Sequence, residues 1–210
     1  LFVATGSVSS IGVGAPVMTS PDGIRWTDRS VTSIGLVDIC WSPELSLLVA
    51  VGDESDGSGR ATIVTSPDGI TWTGRATAAS SNDHRAVCWS PELSLFVVVK
   101  SVSQYDVQTG EAVLTSPDGI TWTSRTAPMN EGYNVTLQDV TWSPELGLFA
   151  AVGHKRISSG GVEATVVTSP DGITWTMRTL DDGSAWNAIW WASDRGRFVI
   201  TGGLVCNICF

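Results

Sequence analysis

Aligned on a recurring tryptophan (Trp41, Trp89, Trp142, Trp191), one position of the chain carries Val37, Arg85, Gln138 and Asn187. The next carries Asp38, Ala86, Asp139 and Ala188. Polar side chains at equal offsets can line one surface and hold a ligand through hydrogen bonds and charge. Hydrolysis of a glycoside asks for more: two positioned carboxylates, or an equivalent nucleophile and acid. The chain has two tyrosines, Tyr105 and Tyr133, and two histidines, His84 and His154. All four fall in segments that vary between copies of a repeat, and they join Asp38, Arg85, Gln138, Asp139 and Asn187 as candidate binding residues. The histidines lack the H-x-x-H or H-E-x-x-H spacing of a metal site. The acidic run Asp53–Gly59 lacks the alternating acceptors and closing Glu of a calcium loop and reads as solvated. "CNIC" at Cys206–Cys209 has no second CxxC or His pair to complete a zinc site. It reads as a terminal strand or a redox pair. Cys40 and Cys88, each just before a Trp, read as small core thiols. No phosphate-cradling Gly loop and no Ser/His/Asp arrangement occurs, so neither a cofactor nor a metal is expected. Asn134 opens a glycosylation sequon, which has meaning only in a secretory pathway.

These residues must be positioned by a repeat. "TSPDGITWT" stands at Thr65–Thr73, Thr115–Thr123 and Thr168–Thr176, and "TSPDGIRWT" at Thr19–Thr27. Their tryptophans, Trp26, Trp72, Trp122 and Trp175, are spaced by 46, 50 and 53 residues. A second motif interleaves: "WSPELSLLVAVG" from Trp41, "WSPELSLFVVV" from Trp89, "WSPELGLFAAVG" from Trp142, and a decayed "WASDRGRFVITG" from Trp191. A period near 50 residues, rich in β-branched and aromatic residues and without helical periodicity, predicts repeating sheets. Each unit reads as four strands: a ("LVDICWS"), b ("LSLLVAVG"), c ("ATIVTS") and d ("TWTGR"). The fold class is all-β, a propeller of four-stranded antiparallel blades. Ser-Pro-Asp-Gly reads as the c–d turn. Pro presets φ at its second position, Asp bonds nearby amides, and Gly accepts positive φ. The Trp anchors one blade to the next. "SPEL" is the a–b turn.

The pattern S-P-D-G-x-x-W resembles the Asp-box, or BNR repeat, of sialidase-like propellers, S-x-D-x-G-x-x-W. The matching residues are Asp22 and Trp26, Asp68 and Trp72, Asp118 and Trp122, and Asp171 and Trp175. The likeness extends over nearly the whole chain, with one departure: Asp and Gly are adjacent, so the turn is one residue shorter. The short form is similar to repeats of bacterial exported propellers and of phage tail or virion proteins. The resemblance implies that the Asp-boxes are structural and remote from any active site. It also implies that a sialidase-like enzyme would need an arginine triad and a tyrosine nucleophile. Arg29, Arg75, Arg125 and Arg178 recur once per unit, three residues after the motif Trp, and read as scaffold.

The chain forms a single propeller unit over 1–210. Its blades run 1–30 (partial), 31–76, 77–126, 127–179 and 180–210 (partial). It opens with strands b, c and d and closes with a and b, so strand b comes both first and last. That count predicts a ring of about five blades or a slice of a larger one, and the first residue, Leu1 inside a strand, suggests a processed or partial chain. The a–b and c–d turns lie on one face and barely vary. The b–c and d–a connections lie on the other and vary freely, as binding loops on a rigid scaffold do.

The net charge of −9, with Lys100 and Lys155 the only lysines among twelve basic residues, argues against nucleic acid and anionic lipid. No apolar run is long enough for a membrane span. The reading is a non-enzymatic binding or structural propeller, extracellular or virion-associated, that recognises a glycan or protein through its variable face. Further blades of the same parent chain, or an oligomer, are additional partners. The alternative is a sialidase-like glycoside hydrolase with catalytic residues partly outside this chain.

Overall fold

The computed structural model describes residues 1–6, 17–29, 35–53, 62–75, 83–102, 110–128, 135–156, 161–178 and 185–202. Seventeen antiparallel strands and no helices form these parts, in five sheets. Blade 1 holds β1 (Phe2–Thr5), β2 (Val17–Ser20) and β3 (Thr27–Asp28). Blade 2 holds β4 (Gly35–Ser42), β5 (Leu47–Asp53), β6 (Ile63–Ser66) and β7 (Thr73–Arg75). Blade 3 holds β8 (His84–Ser90), β9 (Leu95–Lys100), β10 (Val113–Ser116) and β11 (Thr123–Arg125). Blade 4 holds β12 (Val135–Ser143), β13 (Leu148–Arg156), β14 (Val162–Ser169) and β15 (Thr176–Arg178). Blade 5 holds β16 (Trp186–Ala192) and β17 (Arg197–Gly202). Within each blade the strands pair in chain order, the meander of a propeller blade.

The a strands form the inner row: β4 lies against β8, β8 against β12, and β12 against β16. The b strands of blades 3 and 4, β9 and β13, are covered on both faces by neighbouring blades. They are therefore continuous apolar runs rather than alternating ones: Phe96 to Val99 and Phe149 to Val152 are all at most 1% exposed.

The Ser-Pro-Asp-Gly corner is built the same way each time. Ser66 Oγ accepts the Gly69 amide at 2.8 Å and donates to Asp68 Oδ1 at 3.0 Å. Asp68 Oδ1 accepts the amides of Ile70 (2.8 Å) and Thr71 (2.7 Å). Trp72 Nε1 donates to the Gly69 carbonyl at 3.2 Å. Asp22, Asp118 and Asp171 repeat this pattern. The amides of Arg25 and Ile24 hold the Asp22 carboxyl below its ordinary range, and those of Thr71 and Ile70 do so for Asp68. Gly119, at φ +70°, packs on Leu47 and Val49 of blade 2, and Gly172, at +71°, on Leu95 and Val97 of blade 3. The corner thus seats blades 3 and 4 on strand b of the blade before, and Gly69 seats blade 2 on Leu1 and Val3 in the same way. The once-per-blade arginines close it: Arg75 Nε donates to Thr65 Oγ1 at 2.8 Å, and Arg29, Arg125 and Arg178 do the same for Thr19, Thr115 and Thr168.

Two boundaries differ from the sequence reading. The b strands begin at Leu47 and Leu95, not two residues earlier, because Ser46 and Ser94 sit at φ +48° and still belong to the turn. The corner tryptophans precede the d strands instead of lying inside them.

The tryptophans are not equivalent. Trp122 and Trp175 are 7% exposed, whereas Trp26 is 40% exposed. Trp122 shares a core with Val49, Val51 and Ile63 of blade 2 and with Phe96 of blade 3. Trp122→Ala should therefore cost about 3–5 kcal/mol, as other aromatic core truncations do, and Trp26→Ala less than about 1 kcal/mol. Equilibrium urea denaturation of the two variants checks this; equal losses would contradict the packing described.

Candidate functional site

The inner strands carry the polar residues singled out by sequence. Val37, Arg85, Gln138 and Asn187 prove to be bulge residues. The register of strand a against strand b jumps between Leu36 and Asp38, His84 and Ala86, Leu137 and Asp139, and Trp186 and Ala188. A bulge re-aims the side chains around it. The residue that follows each bulge is the other aligned position, and there the chemistry alternates.

Strand a is an edge, so half of its amides face the axis without a ladder partner. Asp38 Oδ1 accepts the amide of Ile39 at 2.8 Å, and its Oδ2 accepts the amide of Val87, in blade 3, at 2.8 Å. Asp139 does the same for Val140 at 2.8 Å and for Ile189, in blade 5, at 2.7 Å. One aspartate thus serves the equivalent amide in two neighbouring blades. Ala86 and Ala188 can be small because the amides that follow them, of Val87 and Ile189, are already taken. The carboxylates staple blade 2 to blade 3 and blade 4 to blade 5.

Burial pushes the Asp38 carboxyl up to about 6; the Val87 and Ile39 amides oppose the shift, and the charge of Asp139 adds to it. Burial likewise raises Asp139 against the amides of Ile189 and Val140. The thiol of Cys40 is pushed up to about 12 by burial and by the nearby Asp38 charge, and that of Cys88 well above its usual range by burial. Both cysteines are free and pack against the apolar cores, as small thiols should. Neither supplies a thiolate near neutral pH.

Arg85 is half-buried and pairs with Asp83, Nη2 lying 2.8 Å from Oδ1. Gln138 is half-buried; Asn187 and Val37 are exposed. The two histidines are not in loops. His84 opens β8, fully buried, with Nδ1 2.8 Å from Thr62 Oγ1. Burial and the charge of Lys100, its cross-strand partner, pull it down to about 3, so it is neutral at pH 7. His154 lies in β13, paired with Thr136 and Ala164. The strands run further toward the variable face than the loop reading allowed, and His84 is core rather than ligand surface. Tyr105, Tyr133, Asn134, Cys206 and Cys209 lie outside the described residues, as do 54–61 of the acidic run. Among the described residues no group of three His, Cys, Asp or Glu could hold a metal.

Sequence reasoning missed one pair of contacts. Glu44 Oε2 accepts the indole N–H of Trp89 at 2.8 Å, and Glu92 Oε2 that of Trp142 at 2.7 Å. Each Glu belongs to an a–b turn and reaches the inner strand of the next blade. The signal was present: a glutamate written once per turn, and a tryptophan once per strand a.

No protein-family model and no curated protein matches the sequence. Solved structures do match in fold. A chain of a nidogen/laminin complex is 7% identical with a TM-score of 0.61, over 95% of this chain and 69% of that one. The α-L-arabinanase of Penicillium chrysogenum, complexed with arabinobiose, is 15% identical with a TM-score of 0.60, over 97% and 72%. The extracellular domain of a one component system from B. thetaiotaomicron is 9% identical with a TM-score of 0.61, over 89% of this chain and 22% of that one. Across the first eight matches this chain spans between 22% and 73% of the other's length. At these identities the likeness is one of fold, and the fold class is the β-propeller.

The raised Asp38 carboxyl has a thermodynamic sign. The folded state holds its proton up to about pH 6, while the unfolded chain releases it near pH 4. Wild-type stability, relative to Asp38→Asn, should therefore fall by roughly 2 kcal/mol as pH rises from about 4 to about 6, and level off only above about pH 7. Paired urea melts across this window measure the difference; a flat or rising difference would show that the carboxyl is not held protonated by burial.

Proposed function

We propose that the protein is a non-enzymatic binding propeller whose recognition surface is the face formed by the b–c and d–a connections. One observation carries this reading. On the opposite face the polar groups of the corners are spent within the fold: serine and aspartate on turn amides, tryptophan on the glycine carbonyl, arginine on threonine. The axial aspartates are spent on stapling blades. Among the described residues, side chains with spare polar capacity are left at the bulges, where Gln138 is half-buried and Asn187 exposed.

The ligand class is a glycan or a protein surface. Support comes from two fold neighbours: the arabinanase, whose structure holds arabinobiose, and a chain of the nidogen/laminin complex. The repeat corner is an Asp-box in its short form. Together with the acidic composition and scarcity of lysine, it supports an exported or virion-associated role, as in phage tails. The chain is one propeller unit in this reading, 1–210.

Glycoside hydrolysis, with catalytic residues partly outside this chain, is the second reading. The raised Asp38 carboxyl favours it, since a general acid needs such a shift. Against it, both oxygens of Asp38 and of Asp139 already accept backbone amides.

Exchanging only the 103–109 and 129–134 segments, one for the other, which leaves the buried Val102, Ala127 and Val135 in place, should change the pattern of ligands retained on a combined glycan and protein array, with the unfolding midpoint shifted by less than about 3 °C. An unchanged pattern would remove the variable face as the recognition surface. Release of reducing sugar by the intact chain, abolished in Asp38→Asn, would establish the second reading instead.

A further inference from the structure

Blade 1 differs from blades 2 to 4 in one respect. Among the described residues, β1 has a single sheet neighbour, β2, whereas each other b strand is flanked by its own strand a. The surface beside β1 is a cleft of about 620 Å³, lined by Phe2, Val3, Ile39, Cys40, Trp41 and Leu48 among others.

The other blades show what such a cleft holds. Leu1-Phe2-Val3 is the blade-1 version of Leu95-Phe96-Val97 in β9. The corner confirms the equivalence: Gly69 of blade 2 packs on Leu1 and Val3, as Gly172 of blade 4 packs on Leu95 and Val97. Phe96 and Phe149 are fully buried beneath the tryptophan of their own strand a, with ring centroids 4.4 Å apart for Trp89–Phe96 and 4.5 Å for Trp142–Phe149. Phe2 has no such lid and is 54% exposed. The next blade's tryptophan tells the same story. Trp89 and Trp142 are 8% and 9% exposed and donate to Glu44 and Glu92 of the preceding a–b turn. Trp41 is 45% exposed.

We propose that this cleft is a strand-docking site, and that its occupant is a strand a of a further copy of the same repeat, carrying its Ser-Pro-Glu turn. Its tryptophan would cover Phe2, its glutamate would accept the Trp41 indole N–H, and its backbone would add to the free edge of β1. The chemistry is specific. An apolar strand alone satisfies Phe2 but leaves the Trp41 donor open, and an acid alone leaves about half of Phe2 in water. The position after the bulge must be small, because Asp38 already serves Ile39 and Val87. That alternation makes the strand of blade 3, with Ala86, the natural probe.

The connectivity of the other blades makes the test direct. Residues 84–94 placed immediately ahead of Leu1 supply strand a and the turn in register. In this grafted protein the unfolding midpoint should rise by several degrees, and hydrogen exchange at the Trp41 indole should slow by at least tenfold. A graft bearing Glu92→Gln should keep most of the gain in midpoint. It should lose the slowed exchange, since a hydrogen bond to a charged acceptor is worth about a factor of 10–100. The same grafts on a Trp41→Phe chain should differ little from one another; Trp41 is exposed enough for that variant to fold. Three outcomes would overturn the proposal: no gain in midpoint from the graft, equal protection of Trp41 with Glu92→Gln, or an ungrafted chain whose Trp41 is already shielded in a dimer by sedimentation and NMR. None of these readouts depends on a ligand for the variable face, so the docking site and the recognition surface fail independently.

Discussion

An isolated blade cannot cover its own apolar surface; only the next blade can. Everything else in this protein follows from that constraint. It explains why strand b is apolar on both faces, why a glycine at positive φ sits where one blade meets the strand b behind it, and why the corner tryptophans contact two blades at once. It also explains the polar contacts between blades. The aspartate staples and the Glu–Trp bonds lie where packing alone would leave amides and indole N–H groups without partners. A buried donor left unpaired costs about 1–3 kcal/mol, so these few contacts weigh heavily in a fold held together by repeated interfaces.

The same constraint divides the molecule into a face that is used up and a face that is free. Near-identical corners result from an interface that must form the same way at each step. The opposite end of strand b is less uniform: at Gly52 and Gly153 a side chain would run into the carbonyl oxygen of Gly35 or Thr136 beside the bulge. In blade 3 the equivalent position is Lys100, fully buried opposite His84. The bulge end thus accepts glycine in two blades and a buried lysine in a third, whereas the corner bonds repeat unchanged.

Much of the fold was legible in the sequence because repetition supplies its own alignment. The four strand types, both turn chemistries and the scaffold role of the recurring arginines could be read from residue type and offset. The functions of Asp38 and Asp139 could not. Their partners are amides 49 and 50 residues away, and an amide has no letter in the sequence. The Asp–Ala alternation was visible, but it looked like a polar ring open to a ligand rather than a set of staples. His84 was misplaced because a strand's last turn outward cannot be separated from its loop by composition. The variable connections stayed unread for a simpler reason: they do not repeat, so the chain offers nothing to align them with.

The central claim is that the axial carboxylates hold blades together instead of waiting for a ligand. Native-state hydrogen exchange at the Val87 amide tests it most directly. In the wild type this amide should exchange only with opening of the blade 2–blade 3 interface. In Asp38→Ala its exchange should accelerate by at least tenfold, about 1.4 kcal/mol, while Ile189, held by Asp139, keeps its protection. Unchanged exchange at Val87 in that variant would contradict the account.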